Sequence, residues 1–128
     1  MQLAIIGSRT FNDYANAKQW IDRILSEHNL PVPTQIVSGG AKGADAIAER
    51  YAHEHGIELQ VFKADWTKYG RGAGPVRNRE IISHASHILA LWDMQSKGTR
   101  HSIETALGQG KPVYIVNIAD GSCTVRLP

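Results

Sequence analysis

Short apolar runs alternate with glycine-containing loops and longer amphipathic segments along this chain of 128 residues. The first run, residues 3–6, is apolar at every position, which is typical of a strand that helices cover on both faces of a sheet. Strands that alternate with helices predict an α/β fold, a Rossmann-like, doubly wound and mainly parallel sheet of about five strands. The other strands are predicted at residues 35–38, 58–62, 88–92 and 112–116.

The segments between these strands have helical spacing. Tyr14, Ala17 and Ile21 begin an apolar stripe that predicts a helix over residues 14–28, with Asn12 or Asp13 as its N-cap. Further helices are predicted over 44–55, 76–84 and 99–107, and the segment ADWTKYGRGAGP is predicted as a long loop. The stretch CTVRL near the C-terminus has only a weak strand signal. A chain of this length predicts a single domain over residues 1–128.

The composition argues against several classes of protein. A single cysteine, Cys123, cannot form an internal disulfide, and the N-terminal apolar run is too short for a signal peptide or a membrane span. We therefore expect a cytoplasmic protein with no membrane partner. His53 and His55 lie two positions apart and do not have the HExxH spacing of a zinc site, so we expect no metal site and no cofactor.

Four polar loops follow the first four predicted strands, and in a doubly wound sheet they share the edge at which ligands bind. Two of them combine glycines with the start of a helix, where backbone N–H groups and the helix dipole favour an anion. The second loop, SGGAKGAD, is neither a Walker A loop nor a GxGxxG loop, which favours a ligand of mononucleotide type. Gly43 is expected to let the second helix pack close to the sheet. The candidate ligand or phosphate contacts from the first, second and fourth loops are Gly7, Ser8, Arg9, Ser38, Gly39, Gly40, Gly43, Asp45, Asp93, Ser96, Lys97, Gly98 and Thr99.

Specific roles are predicted for the two acids and the threonine among these residues. Asp45 is either a stabilising acid in the first turn of a helix or a hydrogen-bonding partner of a ribose or base. Asp93 is a candidate for the same ribose or base contact, and Thr99 is also a candidate helix cap.

The third loop is rich in cations and glycines. Residues 63–79 contain five basic side chains and one acid, with Trp66 and Tyr69 between them, a combination that can stack a base and neutralise a phosphate. Its glycines favour a mobile lid. Arg77 and Asn78 follow Pro75 at the start of the next predicted helix, and Arg77 is expected to point toward the ligand edge.

The motifs GSRTF, SGGAKGAD, AGPVRNREI and WDMQSKGT, in this order, resemble the YspA-like branch of the SLOG superfamily, which also contains the LOG phosphoribohydrolases and DprA/Smf. The resemblance implies a Rossmann-like domain that binds a nucleotide or a nucleotide-derived ligand, often as a homodimer. Arg77 resembles an arginine of the LOG enzymes. Of their PGGxGT motif only Gly98 and Thr99 correspond, and the acid that follows it is displaced to Glu104.

Three functions are therefore open. The first is a sensor or carrier that binds AMP, ADP-ribose or a related signal. The second is an N-glycosidic hydrolase of LOG type, with Glu104 as the catalytic acid (or Asp93 or Glu80) and Arg77 as the anchor. The third is binding of single-stranded nucleic acid by residues 63–79, with an affinity that falls steeply with salt.

Overall fold

The computed structural model describes residues 1–128 and contains one six-stranded sheet. The strands are β1 (Gln2–Gly7), β2 (Gln35–Ser38), β3 (Glu58–Val61), β4 (His87–Trp92), β5 (Val113–Asn117) and β6 (Cys123–Arg126). The helices are α1 (Tyr14–Glu27), α2 (Ala44–Glu54), α3 (Trp66–Tyr69), α4 (Ala73–His84) and α5 (Lys97–Gly108), with one 3₁₀ turn at Gly70–Gly72.

The strands lie in the order β3-β2-β1-β4-β5-β6. The first five strands of the chain pair in parallel, and only β6 runs antiparallel, beside β5. The predicted doubly wound and mainly parallel sheet is therefore confirmed. The sixth strand exceeds the predicted number because β6 lies at the edge of the sheet, where Thr124 and Arg126 are exposed and the apolar signal is weak.

Successive residues of the central strands pack alternately in two hydrophobic cores, which lie on opposite faces of the sheet. Leu3 and Ile5 of β1 pack in the core that α1 and α2 cover. Ala4 and Ile6 pack in the core that contains residues of α4 and α5. Because both faces of β1 are buried, its residues 3–6 are all apolar, as the sequence pattern predicted.

The helices confirm the predicted order and differ at some ends. The side chain of Asp13 accepts a hydrogen bond from Asn16 N at 3.2 Å and caps α1, as predicted. α4 begins at Ala73, three residues earlier than predicted, so Pro75 lies inside the first turn rather than at its first position. The predicted long loop contains the short helix α3, which Asp65 caps through Lys68 N at 3.0 Å. None of the helices combines the length and the apolar character needed to cross a membrane.

Candidate functional site

The main cavity lies where the connections of the sheet change sides. β1 and β4 are neighbours, with Gly7 beside Leu91, yet β1 leads to α1 on one face and β4 leads to α5 on the other. Such a point leaves a crevice beyond the carboxyl ends of the two strands. The cavity there, called here the first cavity, has a volume of about 380 Å³. It is lined by Ile6, Gly7, Ser8, Arg9, Thr10, Asp45, Arg77, Asn78, Ile81, Asp93, Ser96, Gly98, Thr99 and Ser102.

Gly7 and Ser8 join the ends of β1 and β4. Gly7 has a φ of 151°, and a Cβ at this position would overlap the carbonyl oxygen of Leu91. Ser8 N donates to the same oxygen at 3.0 Å, and the buried Ser8 Oγ accepts from Asp93 N at 3.1 Å. Both residues line the first cavity, as predicted, and the hydroxyl of Ser8 also holds the two loops together.

Gly43 packs against the first loop. Its φ is 70°, and a Cβ here would overlap the backbone of Ser8 and Arg9. The next residue, Ala44, donates its N–H to Ser8 O at 3.1 Å. The contact that requires glycine here is with the loop directly after β1, and the expected role of Gly43 in helix–sheet packing stays a prediction.

Gly39 leaves space for two charged side chains of the protein itself. A Cβ at Gly39 would lie 2.7 Å from Arg77 Nη1 and 2.9 Å from Asp45 Oδ2. Its carbonyl oxygen accepts a hydrogen bond from Arg77 Nη1 at 2.8 Å. Ser38 lies outside the cavity wall, where its hydroxyl donates to Asp45 O and accepts from Gly40 N. The residues of the second loop thus position Arg77 and Asp45.

Arg77 is a buried cation with one free nitrogen. Its residue is 8% exposed, its Nε donates to Asn78 Oδ1 at 2.9 Å, and its Nη1 is held by Gly39. Its Nη2 has no hydrogen-bond partner in the chain and is not sealed from solvent. Burial lowers the pKa of the guanidinium, and the charge of Asp45 opposes that shift. Arg77 therefore points toward the ligand edge, as the sequence predicted.

Asp45 lies on the same wall without forming an ion pair with Arg77. Its Oδ2 accepts from Ala41 N at 3.1 Å, and no cation lies within 4.0 Å of its carboxyl oxygens. Burial raises the pKa of Asp45, whereas the bond from Ala41 and the charge of Arg77 act in the opposite direction. The backbone N–H groups of Ala41 and Gly39 both act on this carboxyl, which lines the first cavity.

The carboxylate of Asp93 accepts three hydrogen bonds from within the fourth loop. Its Oδ1 accepts from Gln95 N at 2.9 Å and from Ser96 N at 2.7 Å, and its Oδ2 accepts from Ser96 Oγ at 2.9 Å. The bonds from Ser96 and Gln95 hold the pKa of Asp93 below its usual range. The predicted contact with a ribose or base stays a prediction, because the loop already occupies both carboxylate oxygens.

The first turn of α5 offers unpaired donors to the first cavity. Arg100 N donates to Ser96 O at 3.1 Å, but the N–H groups of the three preceding residues of the helix have no acceptor in the chain. Thr99 and Ser102 are 6% and 4% exposed, line the cavity, and have hydroxyls with no partner in the chain. Ser96 occupies the N-cap position of α5, so the alternative prediction that Thr99 caps this helix is wrong. Sequence reasoning missed Ser102, although its spacing of three from Thr99 places both residues on one face of the helix.

Two charged residues of the predicted site, Glu104 and Lys97, lie outside the first cavity. Glu104 is exposed and is absent from the cavity wall, because it follows Ser102 by two positions and so faces another side of α5. Lys97 is also exposed and is absent from the wall of the first cavity. No group of three His, Cys, Asp or Glu side chains is arranged to hold a metal ion.

A second cavity adjoins the first. Its volume is about 290 Å³, and it is lined by Arg9, Gly39, Gly40, Ala41, Lys63, Ala64, Trp66 and Arg77. Gly39 and Gly40 therefore belong to this cavity and not to the first.

The similarity to known proteins extends over nearly the whole chain. Residues 1–69 match the YAcAr family, described as the YspA, cpYpsA-related SLOG family. The chain is 33% identical over 126 residues to the Gene 61 protein of Mycobacterium phage D29, across 93% of this chain and 97% of the phage protein.

A solved structure shares the fold. DNA processing protein A (DprA) from Streptococcus pneumoniae is similar with a TM-score of 0.70 at 22% sequence identity. The similarity covers 94% of this chain and 53% of the DprA chain, so this chain spans about half the length of that protein. At this identity the likeness concerns the fold alone.

Proposed function

The chain belongs to the YAcAr family of YspA- and cpYpsA-related SLOG proteins, and from that premise we propose that its first cavity binds a nucleotide or a nucleotide-derived ligand, as a sensor or carrier. The family match covers the first two of the four loop motifs, GSRTF and SGGAKGAD. AMP and ADP-ribose are suitable probes of this proposal, since each joins a phosphate to a ribose.

One observation carries the proposal: unpaired donors converge on one polar cavity. Arg77 Nη2, the hydroxyls of Thr99 and Ser102, and the first-turn N–H groups of α5 all lack partners in the chain. A helix N-terminus with a nearby guanidinium favours an anion, and a phosphate accepts several charge-assisted hydrogen bonds at once. The phosphate of the ligand therefore lies between α5 and Arg77 in this proposal.

The acid on the same wall supplies the complementary group. The carboxyl of Asp45 lines the cavity and can accept more hydrogen bonds than the chain donates to it, and a ribose hydroxyl is a hydrogen-bond donor. A ligand that places its phosphate at α5 and its ribose toward Asp45 uses both kinds of group. Inorganic phosphate alone would leave the carboxyl unused and would be repelled by it.

The test measures the affinity of the purified protein for AMP, ADP-ribose and ribose 5-phosphate by isothermal titration calorimetry. The same titrations are then repeated on the Thr99→Val variant. This change keeps the shape of the side chain and removes the hydroxyl that lines the cavity. We expect binding to weaken by about 1.5–3 kcal/mol, the usual contribution of a hydrogen bond to a charged group.

Thr105→Val is the matched control. Thr105 lies in the same helix, outside the cavity, and its hydroxyl donates to His101 O at 2.8 Å. The control should leave ligand binding unchanged. Equal weakening by both variants, or no binding of any of the three probes, would contradict the proposal.

A second candidate function is hydrolysis of the N-glycosidic bond, in which water adds to the ribose C1′ while the base leaves with a proton. The observation in its favour is Asp45, a carboxyl whose pKa burial raises, on the wall of the first cavity. Of the acids considered from the sequence, Glu104 and Glu80 are exposed and outside the cavity, and the loop occupies Asp93. If the chain is a hydrolase, Asp45→Asn should abolish base release from AMP, as chromatography of the mixture would measure.

A further inference from the structure

We propose that the second cavity holds the nucleobase of a two-part ligand whose ribose-and-phosphate end occupies the first cavity. The inference rests on the proposed function, because it assumes that the first cavity takes a phosphate and a ribose. The chemical class is a base-bearing nucleotide joined through a diphosphate to a second ribose, as in ADP-ribose.

The two cavities share two cationic residues. Arg9 and Arg77 are the residues that line both, so both residues lie at the boundary between the two spaces. A linker that runs from one cavity to the other must pass these groups. A diphosphate is such a linker, since arginine forks bind phosphate oxygens in pairs.

The charge of the second cavity differs from that of the first. Asp45 and Asp93 line the first cavity, whereas no acid lines the second, where Lys63 joins the two arginines. A neutral ligand would leave these three cations uncompensated. The boundary between the two cavities therefore favours the anionic diphosphate of the ligand, and the uncharged base lies beyond it in the second cavity.

Trp66 presents an aromatic ring that the protein does not cover. It is 56% exposed, and its Cη2 lies 3.9 Å from where a Cβ of Gly74 would be. The other tryptophans are engaged: Trp20 stacks on Phe11 with ring centroids 5.8 Å apart, and Trp92 is 8% exposed. An exposed indole beside a cationic cavity is the arrangement on which a nucleobase stacks.

The volume of the first cavity agrees with a ligand that extends over both cavities. The first cavity, at about 380 Å³, is near the small end of the range of about 300–1,000 Å³ for ligand pockets. A ribose with its phosphate fits a space of this size, whereas a diphosphate-linked ligand needs the second cavity as well.

The experiment compares ADP-ribose with ribose 5-phosphate by isothermal titration on the wild type and on Trp66→Ala. Ribose 5-phosphate is the fragment that occupies only the first cavity. We expect Trp66→Ala to weaken ADP-ribose roughly 5- to 150-fold, the usual effect of removing a base-stacking aromatic, and to leave ribose 5-phosphate unchanged. Lys63→Gln should weaken ADP-ribose selectively as well.

Two matched controls lie in the same segment. Tyr69 is a second exposed aromatic of α3, and Lys68 is a second exposed lysine, and neither lines the first or the second cavity. Tyr69→Ala and Lys68→Gln should leave both affinities within about twofold of the wild type, as expected of surface changes without such contacts.

The outcomes separate the two proposals. If ribose 5-phosphate binds and loses affinity in Thr99→Val, but ADP-ribose is unaffected by Trp66→Ala, the two-part ligand is wrong and the proposed function stands. Equal weakening of both probes by Trp66→Ala also overturns the inference, because it shows a general disturbance of the site. If neither probe binds the wild type, the proposed function itself fails and the inference with it.

Discussion

Arg77 Nη1 donates a hydrogen bond to the carbonyl oxygen of Gly39 at 2.8 Å, across 38 positions of the sequence. This bond ties the first half of α4 to the loop after β2. It also orients the guanidinium so that its Nη2 has no hydrogen-bond partner in the chain. A side chain in place of Gly39 would thus displace an arginine from another part of the chain.

Gly39→Ala should disturb that relationship. The new Cβ would lie within 3 Å of both Arg77 Nη1 and Asp45 Oδ2, so one or both side chains must move. We expect a loss of about 1–3 kcal/mol in the free energy of unfolding, the usual range for overpacking, together with weaker ligand binding. Urea denaturation measures the first quantity and titration with AMP the second.

Gly108→Ala is the matched control for that substitution. Gly108 is the last residue of α5, and nothing lies within 4 Å of its hypothetical Cβ. The unfolding free energy should stay within about 1 kcal/mol of the wild type or rise slightly, because alanine reduces the freedom of the unfolded chain. Equal losses at both positions would show that contact with Arg77 is not the cause.

Arg77→Lys should destabilise the protein although it keeps the charge. A lysine cannot reproduce the bonds of Nε to Asn78 and of Nη1 to Gly39 together. Leaving a buried polar group without its partner costs about 1–3 kcal/mol, which urea denaturation resolves. Arg79→Lys, at an exposed position of the same helix, should change stability by less than about 0.5 kcal/mol.

Ser8→Ala should loosen the contact between the first and fourth loops. The change removes the acceptor of Asp93 N and leaves that N–H unpaired in a part-buried position. We expect a loss of about 1–3 kcal/mol in unfolding free energy and faster amide hydrogen exchange at Asp93. Ser26→Ala, on the exposed side of α1, is the control and should leave both measurements unchanged.

Asp45 and Asp93 should give opposite pH dependences of stability. Burial raises the pKa of Asp45 above its ordinary value of 3.8, so the native state holds this proton more tightly than the unfolded chain does. The contribution of Asp45 to stability is therefore largest at low pH and falls as the pH rises from 3.8 through the native pKa. The stability of the wild type relative to Asp45→Asn should decrease over that window.

Asp93 has the reverse sign. Hydrogen bonds lower its pKa below the ordinary 3.8, so its contribution is present above 3.8 and is lost as the pH falls through the native pKa. The wild type should lose stability relative to Asp93→Asn as the pH decreases below 3.8. Urea denaturation of the three proteins across the acid range measures both differences, and equal slopes for the two variants would refute the assignment.

Several expectations from the sequence remain predictions. These are the single domain over residues 1–128, the dimer, the cytoplasmic location and the identity of the ligand. Of the proposed site residues, Arg9, Arg77, Asn78 and Thr99 were predicted from their positions in loops or near helix starts and line the first cavity, and their contact with a ligand stays a prediction. Ser102 was missed because it lies inside a helix, where a small polar residue carries no loop signal.

The sequence by itself determined the architecture and the edge of the sheet at which the site lies. Apolar periodicity reports which faces are buried, and buried strands that alternate with helices leave few ways to arrange a sheet. Only the tertiary structure decided which polar groups meet there. Gly39 faces Arg77, Asp93 closes its own loop, and Glu104 lies away from the cavity, because such contacts depend on helix rotation and on distances between residues far apart in the chain.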